Sequence, residues 1–308
     1  LGFPAIAICD RNGLYGAMPF QDGAKAKGVQ PLIGMLLAVR RPNSDNFVRD
    51  WLPLFAQNEQ GYNNLCRLAS MAHLDRPEMF DAHVTFEQMV GLTGDLIALT
   101  GGGEGAVARL LAESQSNAAA SYLGTLEGLF ADRLYVELSR RHDATEEAAE
   151  DALIDLAYAR NLPLVATNPA FFGEPEFFDA HDAMLCIADG EYVESADRRR
   201  SSRDTWIKTG VQMKELFADL PEALANSLVI AQRCAALAPK RNPILPSLAG
   251  DREGEDRQLR EDALAGLEGQ QNRRRAQLAE LSAPPPQAKP AEPRSASTDD
   301  LQLFGGGQ

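Results

Sequence analysis

The sequence predicts an α/β fold: a parallel sheet or barrel covered by helices. Three observations lead there. There are six short apolar runs, and most stop at Gly, Asn or Asp, the punctuation of buried strands. Segments of helical period lie between them. Strand and helix alternate with a repeat of about 30 residues, as in barrel-like α/β domains.

The elements follow in order. AIAIC (5–9) is the first strand, and Asp10 stands where it emerges. AMPFQDGAKAK (17–27) is a helical link to PLIGMLLAV (31–39), and LPLFA (52–56) is the third strand. Residues 60–72 put Leu65, Leu68, Ala69 and Ala72 on one helical face. DLIALT (95–100) is the fourth strand, with helices over 104–113 and 117–130. LYVELS (134–139) is the fifth. A helix over 145–160 follows, with Asp143 or Thr145 as N-cap and acidic residues in its first turn, where the helix dipole favours them. LPLVATN (162–168) is the sixth strand, and PEALANSLVIAQRCAALA (221–238) is an amphipathic helix. A Pro-stiffened loop and a charged helix come next. From about 282, SAPPPQAKPAEPRSAS is too poor in apolar side chains to bury a core and reads as a disordered or extended linker. The expected organisation is a barrel domain over 1–240, a helical extension over 241–281 and the linker over 282–308.

Composition narrows the function classes. The net charge of −14 argues against a strong binder of phosphate backbones, which needs clustered Lys and Arg. The short clusters Arg198-Arg199-Arg200 with Arg203, and Arg273-Arg274-Arg275, read as solvated surface. No apolar run approaches the roughly 20 residues of a membrane helix, and no signal peptide is visible. Cys9, Cys66, Cys186 and Cys234 are far apart without a CxxC pair, so they read as buried free thiols in a reducing cytoplasm. The chain opens on Leu1 almost directly in a strand, which predicts a fragment without its natural N-terminus.

Barrels of this class place chemistry at the C-terminal ends of their strands. That singles out Asp10, Glu137, Asn168 and nearby His181. Asn12 and Gly13 form the first strand-to-helix turn, with Gly13 free to take a positive φ. GGGEG (101–105) follows a strand but lacks the Gly-Lys-Ser/Thr ending of a phosphate loop, so it reads as a strand-to-helix connection.

AIAICDRNGLYGAMPFQDGAKAKGVQPLIG resembles the opening of the PHP domain of bacterial replicative DNA polymerase III alpha subunits. LPLFAQNEQGYNNLCRLAS (52–70), GDLIALTGG (94–102), RLYVELSRR (133–141), LPLVATNPAFF (162–172), FDAHDAMLCIADG (178–190) and MKELFADLPEALANSLVIAQRC (213–234) resemble the same domain in the same order. The resemblance runs from Leu1 to about Glu268. It implies a distorted barrel of about seven strands, of which the first, carrying a His-x-His motif, is missing. It also implies a DNA-directed DNA polymerase (nucleotidyltransferase) whose palm domain is missing too, so this chain is expected not to polymerise DNA alone.

Family members with an intact PHP site hold metal ions for phosphoester hydrolysis. Matched residue by residue, Asp10, Glu137, Asp179 and His181 are kept. The other positions carry Arg11, Leu36, Trp51, Gly102, Pro169 and Phe171, side chains that do not ligate a hard or borderline cation. The resemblance thus implies a degenerate site made of Asp10, Arg11, Glu137, Asp179 and His181, with no bound metal; Mg, Mn or Zn enters only if residual activity survives. Arg11 is expected to replace the metal as the partner of Asp10, and Glu137 to pair with Arg11, Arg140 or Arg141. His181 is expected to be a structural residue at a helix start. Near the C-terminus, Leu301, Leu303 and Phe304, with Asp300 in place of the usual Gln, resemble a sliding-clamp-binding peptide. The implied function is a non-catalytic scaffold in DNA replication. Its implied partners are a proofreading exonuclease subunit and the clamp, with DNA approached only through them and no membrane. The alternative is a metal-dependent phosphoesterase.

Overall fold

The computed structural model describes residues 1–44, 46–242 and 247–282. Two compact units divide after Lys240. The first holds one six-stranded sheet: β1 (Ala5–Arg11), β2 (Gln30–Arg40), β3 (Arg49–Ala56), β4 (Leu96–Leu99), β5 (Leu134–Leu138) and β6 (Leu164–Ala166), paired in sequence order. Its helices are α1 (Ala17–Ala26), α2 (Glu59–Leu74), α3 (Phe86–Met89), α4 (Ala106–Ala112), α5 (Ser116–Phe130), α6 (Ala144–Ala159), α7 (Phe178–Asp189), α8 (Gly210–Leu216) and α9 (Pro221–Arg233). In the second unit α10 (Arg252–Ser282) carries exposed Leu259, Leu264, Leu267 and Leu278. Leu301, Leu303 and Phe304 lie outside the described residues.

The sheet is a curled half-barrel, and it departs from the expected all-parallel order. β3 runs antiparallel to both β2 and β4, while the β1–β2, β4–β5 and β5–β6 pairs are parallel. The short link between β2 and β3 explains the reversal: a parallel return needs a crossover of a dozen or more residues. The outer edges of β1 and β6 pair with no other strand among the described residues.

Alternation splits each strand between two apolar layers. One face, with Leu37, Leu54, Leu96 and Val136, packs under α2, α4, α5 and α6 in the main core. The other, with Leu32, Phe55, Leu99 and Val165, meets Ile230 and Ala231 of α9 in a smaller cluster. α9 stops at Arg233, short of the apolar pattern's end. The segment after it is captured in extended form: Ala235 N–H donates to the Gln57 carbonyl at 2.9 Å. Gln21 closes a two-way pair with the Ala238 backbone at 2.8 and 3.0 Å. The Gln30 amide donates to the carbonyls of Ala231 and Cys234, each at 2.7 Å.

Several local readings hold in detail. Asp143 is the N-cap of α6, its carboxylate accepting the N–H of Thr145 and of Glu146 at 3.1 Å. All four cysteines are free thiols, Cys186 and Cys234 buried as expected and Cys9 and Cys66 only partly so. The first turn differs: Asn12, not Gly13, takes the positive φ, at 50°. The buried Asn12 amide explains it, because it accepts from Ala38 N–H at 2.8 Å and donates to the Ala82 carbonyl at 2.9 Å. In the Arg198 cluster, Arg199, Arg200 and Arg203 are exposed as expected, and Arg198 is the exception. The Arg198 side chain is nearly covered and grips Asp182 through both carboxylate oxygens at 2.6 and 2.7 Å.

Candidate functional site

Strand ends build the site. A cavity of about 650 Å³ is lined by residues of both outer strands, β1 and β6. Its polar end gathers Asp10 and Arg11 from the end of β1, Glu137 from β5, Thr167 and Asn168 after β6, and Gly101, Gly102 and Glu104 after β4. Its apolar wall includes Leu32, Phe55, Leu99, Val165 and Ile230.

Asp10 and Arg11 do not pair with each other. Neighbouring side chains on a strand diverge. Asp10 turns to α1 and accepts the Gly16 N–H at 2.7 Å. Arg11 crosses to Glu104, donating to its two oxygens at 3.0 and 2.7 Å, and lies 4.3 Å over the Trp51 ring. Arg141 approaches the same carboxylate at 3.8 Å. Glu104 therefore serves two guanidiniums. The sequence signal for it was the one carboxylate in GGGEG, whose glycines let the loop run close to its neighbours. A Cβ on Gly101 would lie 2.2 Å from the Trp51 carbonyl, and one on Gly105 would lie 1.8 Å from the Thr100 carbonyl.

Glu137 corrects the expected ion pairs with Arg11, Arg140 and Arg141. It is only 5% exposed. Its oxygens accept the Thr167 hydroxyl at 2.7 Å and the Gly101 N–H at 3.1 Å, both uncharged donors. Burial pushes the carboxyl up to about 7, against the pull of the Thr167 hydrogen bond and Arg141. Arg140 goes elsewhere, to Glu150 and Asp219. Nearby, buried Glu146 accepts the Ser139 N–H at 2.5 Å and its hydroxyl at 2.7 Å, which ties β5 to α6. Cys9 also lines the cavity, and burial raises its thiol.

The positions matched to the PHP motifs converge. Leu36, Gly102, Pro169 and Phe171 line the cavity beside Asp10, Arg11 and Glu137, and Trp51 lies under Arg11. Asp179 and His181 stand apart from the lining. Asp179 is 86% exposed and 3.6 Å from Arg203. His181, in the first turn of α7, stacks on Phe171 with ring centroids 5.6 Å apart and tilts against Phe172. The metal ions that such a site implies do not fit these residues. Leu36, Gly102, Pro169 and Phe171 offer no ligand side chain, and Arg11 brings a fixed positive charge. Among the described residues, no three His, Cys, Asp or Glu side chains gather as a metal cluster.

The half-barrel gathers strand-end residues around one cavity, and residues 1–141, which supply most of that cavity's polar end, match the PHP domain family. Beyond it, the chain is similar to DNA polymerase III alpha subunits. It is 43% identical over 270 residues to that of Caulobacter vibrioides, covering 86% of this chain and 24% of the relative. It is 34% identical over 263 residues to that of Rickettsia bellii, covering 85% of this chain and 22% of the relative. Against that of Escherichia coli K12 it is 34% identical over 270 residues, covering 87% of this chain and 23% of the relative. The chain thus spans less than a quarter of the length of these relatives.

Proposed function

We propose that the chain is a non-catalytic scaffold of a bacterial replicative polymerase of the alpha-subunit kind, acting in DNA replication in the cytoplasm. One observation carries the reading. At the matched metal positions this PHP cavity has an Arg11–Glu104 ion pair on Trp51, with Leu36, Gly102, Pro169 and Phe171 around it. A fixed guanidinium opposes a dication electrostatically, and the neighbouring side chains cannot ligate one. The scaffold docks a proofreading exonuclease subunit and, through Leu301, Leu303 and Phe304, the sliding clamp.

Metal analysis of the purified chain, with a phosphodiester hydrolysis assay in Mn²⁺ or Zn²⁺, tests this. The expected result is no stoichiometric metal and no turnover. A bound metal, with turnover lost in Asp10→Ala, would instead establish a metal-dependent phosphoesterase. The partners are tested by co-purification with the exonuclease subunit and by clamp affinity, which Leu303→Ala with Phe304→Ala should abolish.

A further inference from the structure

Arg141 is the least satisfied cation of the cavity. The residue is 9% exposed, yet its guanidinium donates no hydrogen bond among the described residues, and its nearest carboxylate is Glu104 at 3.8 Å. Five donors in a rigid fork normally find acceptors when buried. Glu104, held by Arg11 through both oxygens, stays 3.8 Å from Arg141, an ion pair without a hydrogen bond. The other two acids of the lining are engaged by uncharged donors. Asp10 accepts from Gly16 at the start of α1, and Glu137 accepts from Thr167 and Gly101. The polar end therefore sets Arg11 and Arg141 among the carboxyl groups of Asp10, Glu104 and Glu137, and of the two guanidiniums only Arg141 lacks a hydrogen-bonded acceptor among the described residues.

The rest of the cavity is apolar. Leu32, Phe55, Leu99, Val165 and Ile230 form one continuous cluster along its wall. A volume of about 650 Å³ lies within the range of small-molecule sites. From the open fork of Arg141 at one end and this wall at the other, we infer that the cavity binds an anionic amphiphile. Its single carboxylate head sits at Arg141 and its hydrocarbon body lies along Leu32, Phe55 and Val165. A guanidinium fork matches a carboxylate in charge and geometry. The inference rests on the metal-free reading of this cavity, since a resident metal would claim the same end.

Decanoate, below its micellar concentration, is the probe, measured by calorimetric titration of the full chain with metal content determined on the same sample. The expected result is one saturable site in metal-free protein, with affinity rising about fourfold per methylene from butyrate to decanoate. Arg141→Gln should weaken it roughly tenfold or more. Arg141→Lys, which keeps charge but loses the fork, should fall between. Ala7→Trp, at an exposed cavity-lining position of β1, should weaken decanoate while leaving the fold intact by circular dichroism. If Arg141→Gln does not fold, the Lys and Trp variants decide. Metal-free protein that ignores decanoate at millimolar concentration overturns this inference alone. So does decanoate binding that these variants leave unchanged, or inorganic phosphate bound as tightly as decanoate. Stoichiometric metal overturns the scaffold reading and this inference together.

Discussion

Arg11 shows how one side chain can redirect a site. Its pair with Glu104 is partly exposed, at 45% and 33%, so it adds little to stability. Its weight lies in occupancy of the space. Arg11→His should therefore not create a metal site on its own, because Leu36, Trp51, Gly102 and Phe171 still supply no ligand. Calorimetric titration with Mn²⁺ or Zn²⁺ checks this, and the expected heat is that of buffer alone. Glu137 makes a second prediction. Its carboxyl is raised from 4.5 to about 7 in the folded chain, so the folded state holds the proton more tightly than the unfolded one. This destabilises the fold progressively as pH rises from about 4.5 through 7, and the penalty is full above that. Glu137→Gln removes the titration. Relative to the parent, it should gain up to about 3 kcal/mol between pH 4.5 and 8, read from denaturant unfolding at each pH. Asp10, Arg11 and Glu137 were legible in the sequence because each stands at the end of an apolar run. Their partners were not. Glu104 lies 93 residues from Arg11, and which carboxylate a guanidinium reaches depends on loop geometry that spacing does not encode.

Among the elements, β3 is anchored through a buried carboxylate. Asp50, nearly inaccessible on that strand, accepts from Arg41 at 2.7 and 2.8 Å and from Arg109 of α4 at 2.6 Å. Asp50→Ala would leave two guanidiniums without their shared carboxylate, at a cost of about 3–5 kcal/mol. Thermal and urea unfolding of the variant would show it. The same strand marks a limit of sequence reading. Its apolar run is equally apolar in either direction, so existence and location are written in residues 52–56 but direction is not. Only the length of the connection carries that. Helices were more legible, since periodicity and caps are local; Asp143 is the example. α9 is the exception: Leu237 and its neighbours continue an apolar pattern, yet hydrogen bonds to Gln21 and Gln57 hold the segment extended. Tertiary partners outweighed local preference there.

For the molecule as a whole, the chain is acidic, and several of its basic groups form internal pairs such as Arg198–Asp182 and Arg199–Asp189. Among the described residues, no helix is long and apolar enough to cross a membrane. The segment after α9 ties the last part of the first unit to its beginning, since Ala238 bonds Gln21, 217 positions away. A nascent chain leaving the ribosome would expose β1 and α1 long before residues 230–238 emerge to lace them. Contacts this distant slow folding and widen the window for proteolysis. A version ending at residue 229 should thus be cut rapidly by trypsin under conditions where one ending at 242 survives, a difference visible on a gel within minutes. The first helix thus waits for a stitch more than two hundred residues downstream, which makes residues 230–238 a seal that forms only once the first unit has been made to its last segment.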